Sequence, residues 1–346
     1  MNRLLGGLVL LTCPTPASAA ADPEWRPVAT DLLRAEKTGF GGLCGVLVDH
    51  RTGDLWVNLS DRGMFHSADQ GKTWKRVSGT QPKGRTETPG CWLLDPTGSG
   101  RMVTALVYGA PLAVSANRAA TWQYLDKKSG HCDWCAVDWS DPGLKFVLAL
   151  KHEAGGLLLA SADGGKSFAE VGKGYGPGWV FDGRTAVVAG TRTGGATKSC
   201  LLRTTDGGKT FQPCGDYRPV GTGSAQALPK WRDGTLYWLA DGGLIATADK
   251  GATWRKVGEV QGAQYGPVFG KDAKHLFVLT KAGVVESTDG GATWSKPLAP
   301  PKGIKGTGGL SWLEYDPKAD VLYLMKMGSD LYRLARGGKQ QAPGVN

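Results

Sequence analysis

The chain has 346 residues, with 53 Gly and 13 Trp, and only 21% are charged; the formal net charge is +10. Glycine is about twice its usual ~7% share, without a Gly-X-Y period, which excludes collagen. An apolar fraction of 41% with scattered aromatics excludes a disordered chain and favours an all-β protein rich in tight turns.

Met1 to Ala20 reads as a secretory signal: Arg3, the apolar run Leu4–Leu11, then Ala17-Ser18-Ala19 as a small-residue cleavage site. The apolar run is too short to cross a bilayer. Leu10-Leu11-Thr12-Cys13 loosely matches a lipobox, but Thr before the cysteine is a poor fit, so anchoring through Cys13 is the lesser reading. The expected product is exported to the periplasm or medium, does not span the membrane and is monomeric. Without the signal the charge is +9, from 40 basic and 31 acidic residues, and six cysteines remain. The basic residues are spread along the chain with no run of five, which argues against a nucleic-acid partner.

Next comes Glu24-Trp25-Arg26-Pro27-Val28, a short strand. A unit then recurs: two apolar strands (Gly45–Val48, Leu55–Val57), a third (Gly63–Phe65), a polar octet, and a fourth strand (Lys75–Val77). The first octet is Ser67-Ala-Asp69-Gln-Gly71-Lys-Thr73-Trp74, and five more follow around Asn117, Asp163, Asp206, Asp249 and Asp289. The spacings are 48, 46, 43, 43 and 40 residues, the size of a four-stranded propeller blade. In each octet the acidic residue can accept backbone N–H bonds, the glycine supplies positive φ, and the terminal Trp or Phe is an apolar plug. The second copy, with Asn117 and Ala119, is degraded and is expected to be the least regular turn. After the sixth octet come three more strands, Leu310–Tyr315, Val321–Leu324 and Leu331–Leu334, and no fourth. The segment at 24–28 resembles the strand that follows an octet. The predicted fold is therefore an all-β, seven-bladed β-propeller with four-stranded blades, its N-terminal strand closing the last blade. The single domain covers 21–338, with a tail at 339–346.

These octets resemble the Asp-box, or bacterial neuraminidase repeat, found in sialidases, sortilin-type receptors, xyloglucanases and photosystem II assembly factors. The resemblance implies that Asp69, Asn117, Asp163, Asp206, Asp249 and Asp289 are structural, on turns facing away from the usual active site.

In a propeller, the blade-to-blade loops and the turns between second and third strands share the other face, around the channel mouth. Arg85, Glu87, His131, Trp134, His152, Tyr175 and Arg218 fall there as candidate binding residues. Asp61, Glu87, Asp133 and Glu153 are candidate carboxylates should the chain hydrolyse glycosides, which needs two at a set separation. The Phe/Tyr-Arg-Ile-Pro motif of sialidases is absent, so their arginine triad is not implied. Cys200 and Cys214 lie symmetrically about the fourth octet and are predicted to pair. Cys44, Cys91, Cys132 and Cys135 are expected to form two disulfides of open pairing; the alternative, with His131, is half of a zinc site. No metal and no cofactor are expected. The function expected is non-catalytic: binding a protein partner, or acting as a cell-envelope scaffold, through the channel-mouth face. A glycoside hydrolase, or a lectin-like propeller with a glycan ligand, is the alternative.

Overall fold

In the computed structural model, the described residues are 24–38, 42–77, 81–191, 199–221 and 227–337. The signal and Cys13, and the tail at 339–346, lie outside them. Seven antiparallel sheets follow one another, each taken from a contiguous stretch except the last. Blade 1 runs through Gly45–Val48, Leu55–Asn58, Met64–Ser67 and Lys75–Val77, in that order from inner to outer strand. The inner strands of blades 2 to 7 are Trp92–Leu94, Cys132–Val137, Tyr175–Val180, Lys230–Arg232, Ala263–Phe269 and Ser311–Asp316. Blade 6 departs from the pattern: its fourth strand shrinks to a single bridge, Val284 to Leu298.

Blade 7 draws its outer strand from the other end of the chain, as expected. Arg26 pairs with Arg333 and Pro27 with Tyr332. A helix that the sequence reading did not anticipate, Thr30–Glu36, follows directly. Its buried Leu32 joins Val46, Leu59, Trp312 and Met325 in the core between blades 7 and 1. Six further apolar clusters sit between the remaining pairs of neighbouring blades. Most of the hydrophobic stabilisation therefore lies between sheets.

Each octet forms the turn its residues predict. In the fifth, Asp249 accepts bonds from the Thr253 N–H (2.9 Å) and hydroxyl (2.6 Å) and from the Thr247 hydroxyl (2.7 Å). The two Thr253 bonds come first among the causes that hold the Asp249 carboxyl down at about 2. Gly251 has φ +79°, and a Cβ there would meet Val187 Cγ1 of the preceding blade at 2.2 Å, so glycine is required by conformation and by space. Contrary to expectation, the second copy is as regular as the others. Asn117 Oδ1 accepts the Thr121 N–H at 2.9 Å, its amide donates to the Thr121 hydroxyl at 2.9 Å, and Ala119 takes φ +66° in place of glycine. Asp249→Ala should cost about 1–2 kcal/mol, as loss of a helix cap does, and Asp249→Asn clearly less. Urea denaturation would measure it, and an unchanged midpoint for Asp249→Ala would contradict this role.

All six described cysteines are thiols. The expected Cys200–Cys214 bridge is not formed, because the strand register slips between Leu201 and Leu202. Leu201 faces Gly215 and Leu202 faces Pro213, which leaves Cys214 unpaired in the ladder. Cys200 then packs in the cluster between blades 3 and 4, and Cys214 against that between blades 4 and 5. Cys91, Cys132 and Cys135 are buried together between blades 2 and 3, and Cys44 is buried in blade 1. The two disulfides expected among these four are not formed either. Burial in apolar surroundings pushes the Cys44 thiol up to about 11 and that of Cys132 to about 12, so both stay protonated and unreactive. Among the described residues, no three of His, Cys, Asp and Glu are placed to hold a metal ion.

Candidate functional site

Strands that alternate up and down put the blade-to-blade connections and the second-to-third-strand turns at one end of the ring. At this end, blades 2 and 3 bring together six of the residues selected from sequence. The segment carrying Arg85 and Glu87 leaves blade 1 and hydrogen-bonds to blade 2 through the Arg85–Val107 bridge, with N–H···O distances of 3.2 and 2.9 Å. Thr86 N–H donates to buried Asn58 of blade 1 at 3.1 Å, and the Thr88 hydroxyl donates to the Asp133 carbonyl of blade 3. Three blades are thereby stitched beneath the site.

Asp133 Oδ1 lies 2.6 Å from His152 Nδ1, and His152 Nε2 lies 3.1 Å from the Tyr108 hydroxyl. With Nδ1 donating to the carboxylate, Nε2 is the acceptor for the phenol proton. The result is a carboxylate–imidazole–phenol chain. His131 completes the group: its Nδ1 accepts the Tyr108 N–H at 3.1 Å, and its ring stands 4.7 Å from both Tyr108 and His152. The Arg85 guanidinium covers the Tyr108 ring at 4.7 Å and is ion-paired with Glu87. Glu153 stands 3.6 Å from His152 Nε2, so a protonated His152 would be shared between two carboxylates.

Partial burial raises the Glu87 carboxyl, against the pull of Arg85 and His152. Partial burial, then the charges of His152 and Lys151, lower the His131 imidazole. Tyr108, His131 and Glu153 all hold positive φ, at 50°, 59° and 51°. Each such non-glycine residue costs about 1–2 kcal/mol. Backbone strain of this kind concentrates where geometry serves binding or chemistry. Although Arg85, His131 and His152 pack against it, Tyr108 remains 57% exposed.

The other sequence candidates fall elsewhere. Trp134 is 1% exposed: a bulge between Cys132 and Trp134 turns it away from the loop face into the channel wall, against Gly90. Tyr175 packs its ring on Phe211, 5.3 Å away, beside the blade 3–4 core. Arg218 lies on the connection into blade 5, where its N–H donates to Asp241 at 2.8 Å. Asp61 sits in a short 3-10 turn, Ser60–Arg62, 3.7 Å from its neighbour Arg62. Tyr108 was missed from sequence. It lies in the irregular turn of the blade with the degraded octet, and nothing around it marks an aromatic as exposed.

A family model for the BNR/Asp-box repeat matches residues 285–296, a stretch that contains the sixth octet. No curated protein matches the chain by sequence. Among solved structures, YCF48 bound to D1 peptide is 13% identical, covers 93% of this chain and 99% of its own, and has a TM-score of 0.54. The extracellular domain of BT4673 from B. thetaiotaomicron is 11% identical over 87% of this chain and 39% of its own, with a TM-score of 0.54. U3-55K is 9% identical over 90% and 98%, also with a TM-score of 0.54. At these identities the likeness is one of fold. No helix among the described residues is long and apolar enough to cross a membrane.

Proposed function

This chain is a seven-bladed propeller built on Asp-box turns, and we propose that it is an exported, non-catalytic module that binds a segment of a partner protein on its loop face. The observation that carries this reading is Tyr108, an exposed aromatic held in place by Arg85, His131 and the Asp133–His152 pair. Tyrosine and arginine dominate the few residues that carry most binding energy at protein interfaces. A ring fixed before contact loses little entropy on binding. That YCF48 shares the fold and is solved with a bound peptide agrees with this use of a propeller face.

A photo-crosslinking amino acid placed at Tyr108 in the exporting cell should give one discrete protein adduct. With that partner purified, Tyr108→Ala should weaken binding by about 2 kcal/mol, or roughly thirtyfold. A partner bound equally by Tyr108→Ala would defeat the proposal.

Glycoside hydrolysis is the second reading, because Glu87, Asp133 and Glu153 all bear on His152 electrostatically or by contact. A panel of chromogenic glycosides separates the two. Turnover that disappears in Asp133→Asn would replace the binding reading with an enzymatic one.

A further inference from the structure

The central channel holds a cavity of about 260 Å³ at the end opposite Tyr108. It is lined by the last residues of the inner strands and the turns that follow them, from all seven blades. For scale, a dry cavity of about 150 Å³ accommodates benzene. Tryptophans form part of its wall. Trp179 and Trp231 stack with an interplanar angle of 9° and centroids 6.5 Å apart, and Trp134 faces the same space.

Two charged groups in this space have no hydrogen-bond or ion-pair partner among the described residues. Glu314, on the inner strand of blade 7, is 7% exposed and lines the cavity. Among the described residues, no hydrogen bond or ion pair reaches its carboxyl. Lys230, on the inner strand of blade 5, also lines the cavity, acts on Glu314 through space and forms no ion pair with it.

The remaining charged and titratable groups there are already engaged or neutral. Asp49 pairs with Arg118 at 2.9 Å and Asp95 with Arg101 at 2.7 Å. Arg51 donates to the Gly98 carbonyl at 2.8 Å, and Arg232 to the Lys271 carbonyl at 3.2 Å. Burial and the nearby Lys230 lower the His50 imidazole to about 4, so it is neutral at pH 7. The Tyr265 phenol beside Glu314 is pushed well up by burial and stays protonated.

A buried carboxyl and a half-buried ammonium that line one space without pairing, beside stacked indole rings, suit a ligand carrying the opposite pair of charges. We propose that the lower channel binds a free α-amino acid with a flat apolar side chain. Its ammonium group meets Glu314, its carboxylate meets Lys230, and its side chain lies among Trp134, Trp179 and Trp231. The aromatic faces also attract the ligand's ammonium group. This site is independent of the Tyr108 face.

Calorimetric titration of the full chain with L-phenylalanine tests it. Saturable binding is expected at pH 8, weakened at least tenfold by 3-phenylpropionate or phenethylamine in its place, each of which lacks one charge. Burial holds the Glu314 carboxyl at about 7, so only about one molecule in ten is ionised at pH 6. Affinity for the ammonium should therefore fall about tenfold from pH 8 to pH 6. Glu314→Gln should abolish binding with an unchanged fold by circular dichroism, and Lys230→Met, which keeps the aliphatic stem, should weaken it at least tenfold. Tyr108→Ala should leave it unchanged, so the fates of the two sites are separable. Absence of binding at millimolar phenylalanine, equal binding by folded Glu314→Gln, or saturable binding of methyl glucoside instead would each overturn the proposal.

Discussion

Deletion of residues 21–30 is expected to lower the melting temperature by about 10 °C or more. The segment is held by bonds that span the whole chain. Val28 N–H donates to the Leu331 carbonyl at 2.8 Å, and Ala29 N–H and the Thr30 hydroxyl donate to Asp330 at 2.9 and 2.6 Å. On its other side it binds blade 1 and the neighbouring blade 6. Trp74 Nε1 donates to the Val28 carbonyl at 3.0 Å, and Trp25 Nε1 to the Ala299 carbonyl at 2.8 Å. At about 1 kcal/mol per bond, and with the apolar cover of Val28 and Ala29 also lost, the deletion removes on the order of 6 kcal/mol. For roughly 300 ordered residues, 1 kcal/mol corresponds to about 1.6 °C, which gives the stated shift. It also exposes the outer edge of blade 7 to pairing with other chains, so aggregation should accompany the lower transition. Calorimetry with light scattering would read both, and an unchanged melting temperature would rule out closure by this strand. Asp330→Ala is the milder counterpart, expected to cost about 2 kcal/mol.

The second large effect is expected at Glu314. Burial raises its carboxyl from 4.5 to about 7, with Lys230 pulling the other way. A raised acid favours the folded state fully below the unfolded value near 4.5, and that contribution disappears as pH climbs through 7. The difference corresponds to about 3 kcal/mol. Without ligand, Glu314→Gln should therefore melt close to wild type at pH 4 and about 5 °C above it at pH 8. Urea titrations of both forms across this range would trace the curve. Parallel stability profiles would show that Glu314 is solvated and ordinary.

The Asp-box octets carried nearly all of the architecture, because each encodes one turn whose neighbours must be strands. Blade count and the closing strand at residues 26–27 followed from their spacing. The helix Thr30–Glu36 did not: seven residues show too little periodicity to stand apart from a loop. For the loop face, topology alone was enough to gather Arg85, Glu87, His131, Asp133, His152 and Glu153 at one end. It did not tell that blades 2 and 3 draw them into contact while Arg218 stays on blade 5. Trp134 was misplaced for a local reason, a one-residue bulge that changes which way a strand residue faces. The unpartnered Glu314 was invisible in sequence, since a single Glu in an apolar strand reads equally well as solvent-facing.

The seam between Arg26 and Arg333 also bears on the order of events during synthesis. The strand made first waits for a partner made about 300 residues later, whereas every other blade is complete within some 50 residues of chain. Six sheets are therefore local problems, solvable as the polypeptide emerges, and only the last demands long-range loop closure. The slow step of folding should be this single docking event. Until it occurs, a nearly finished ring carries two open edges, the interval in which a quality-control factor would have most to protect.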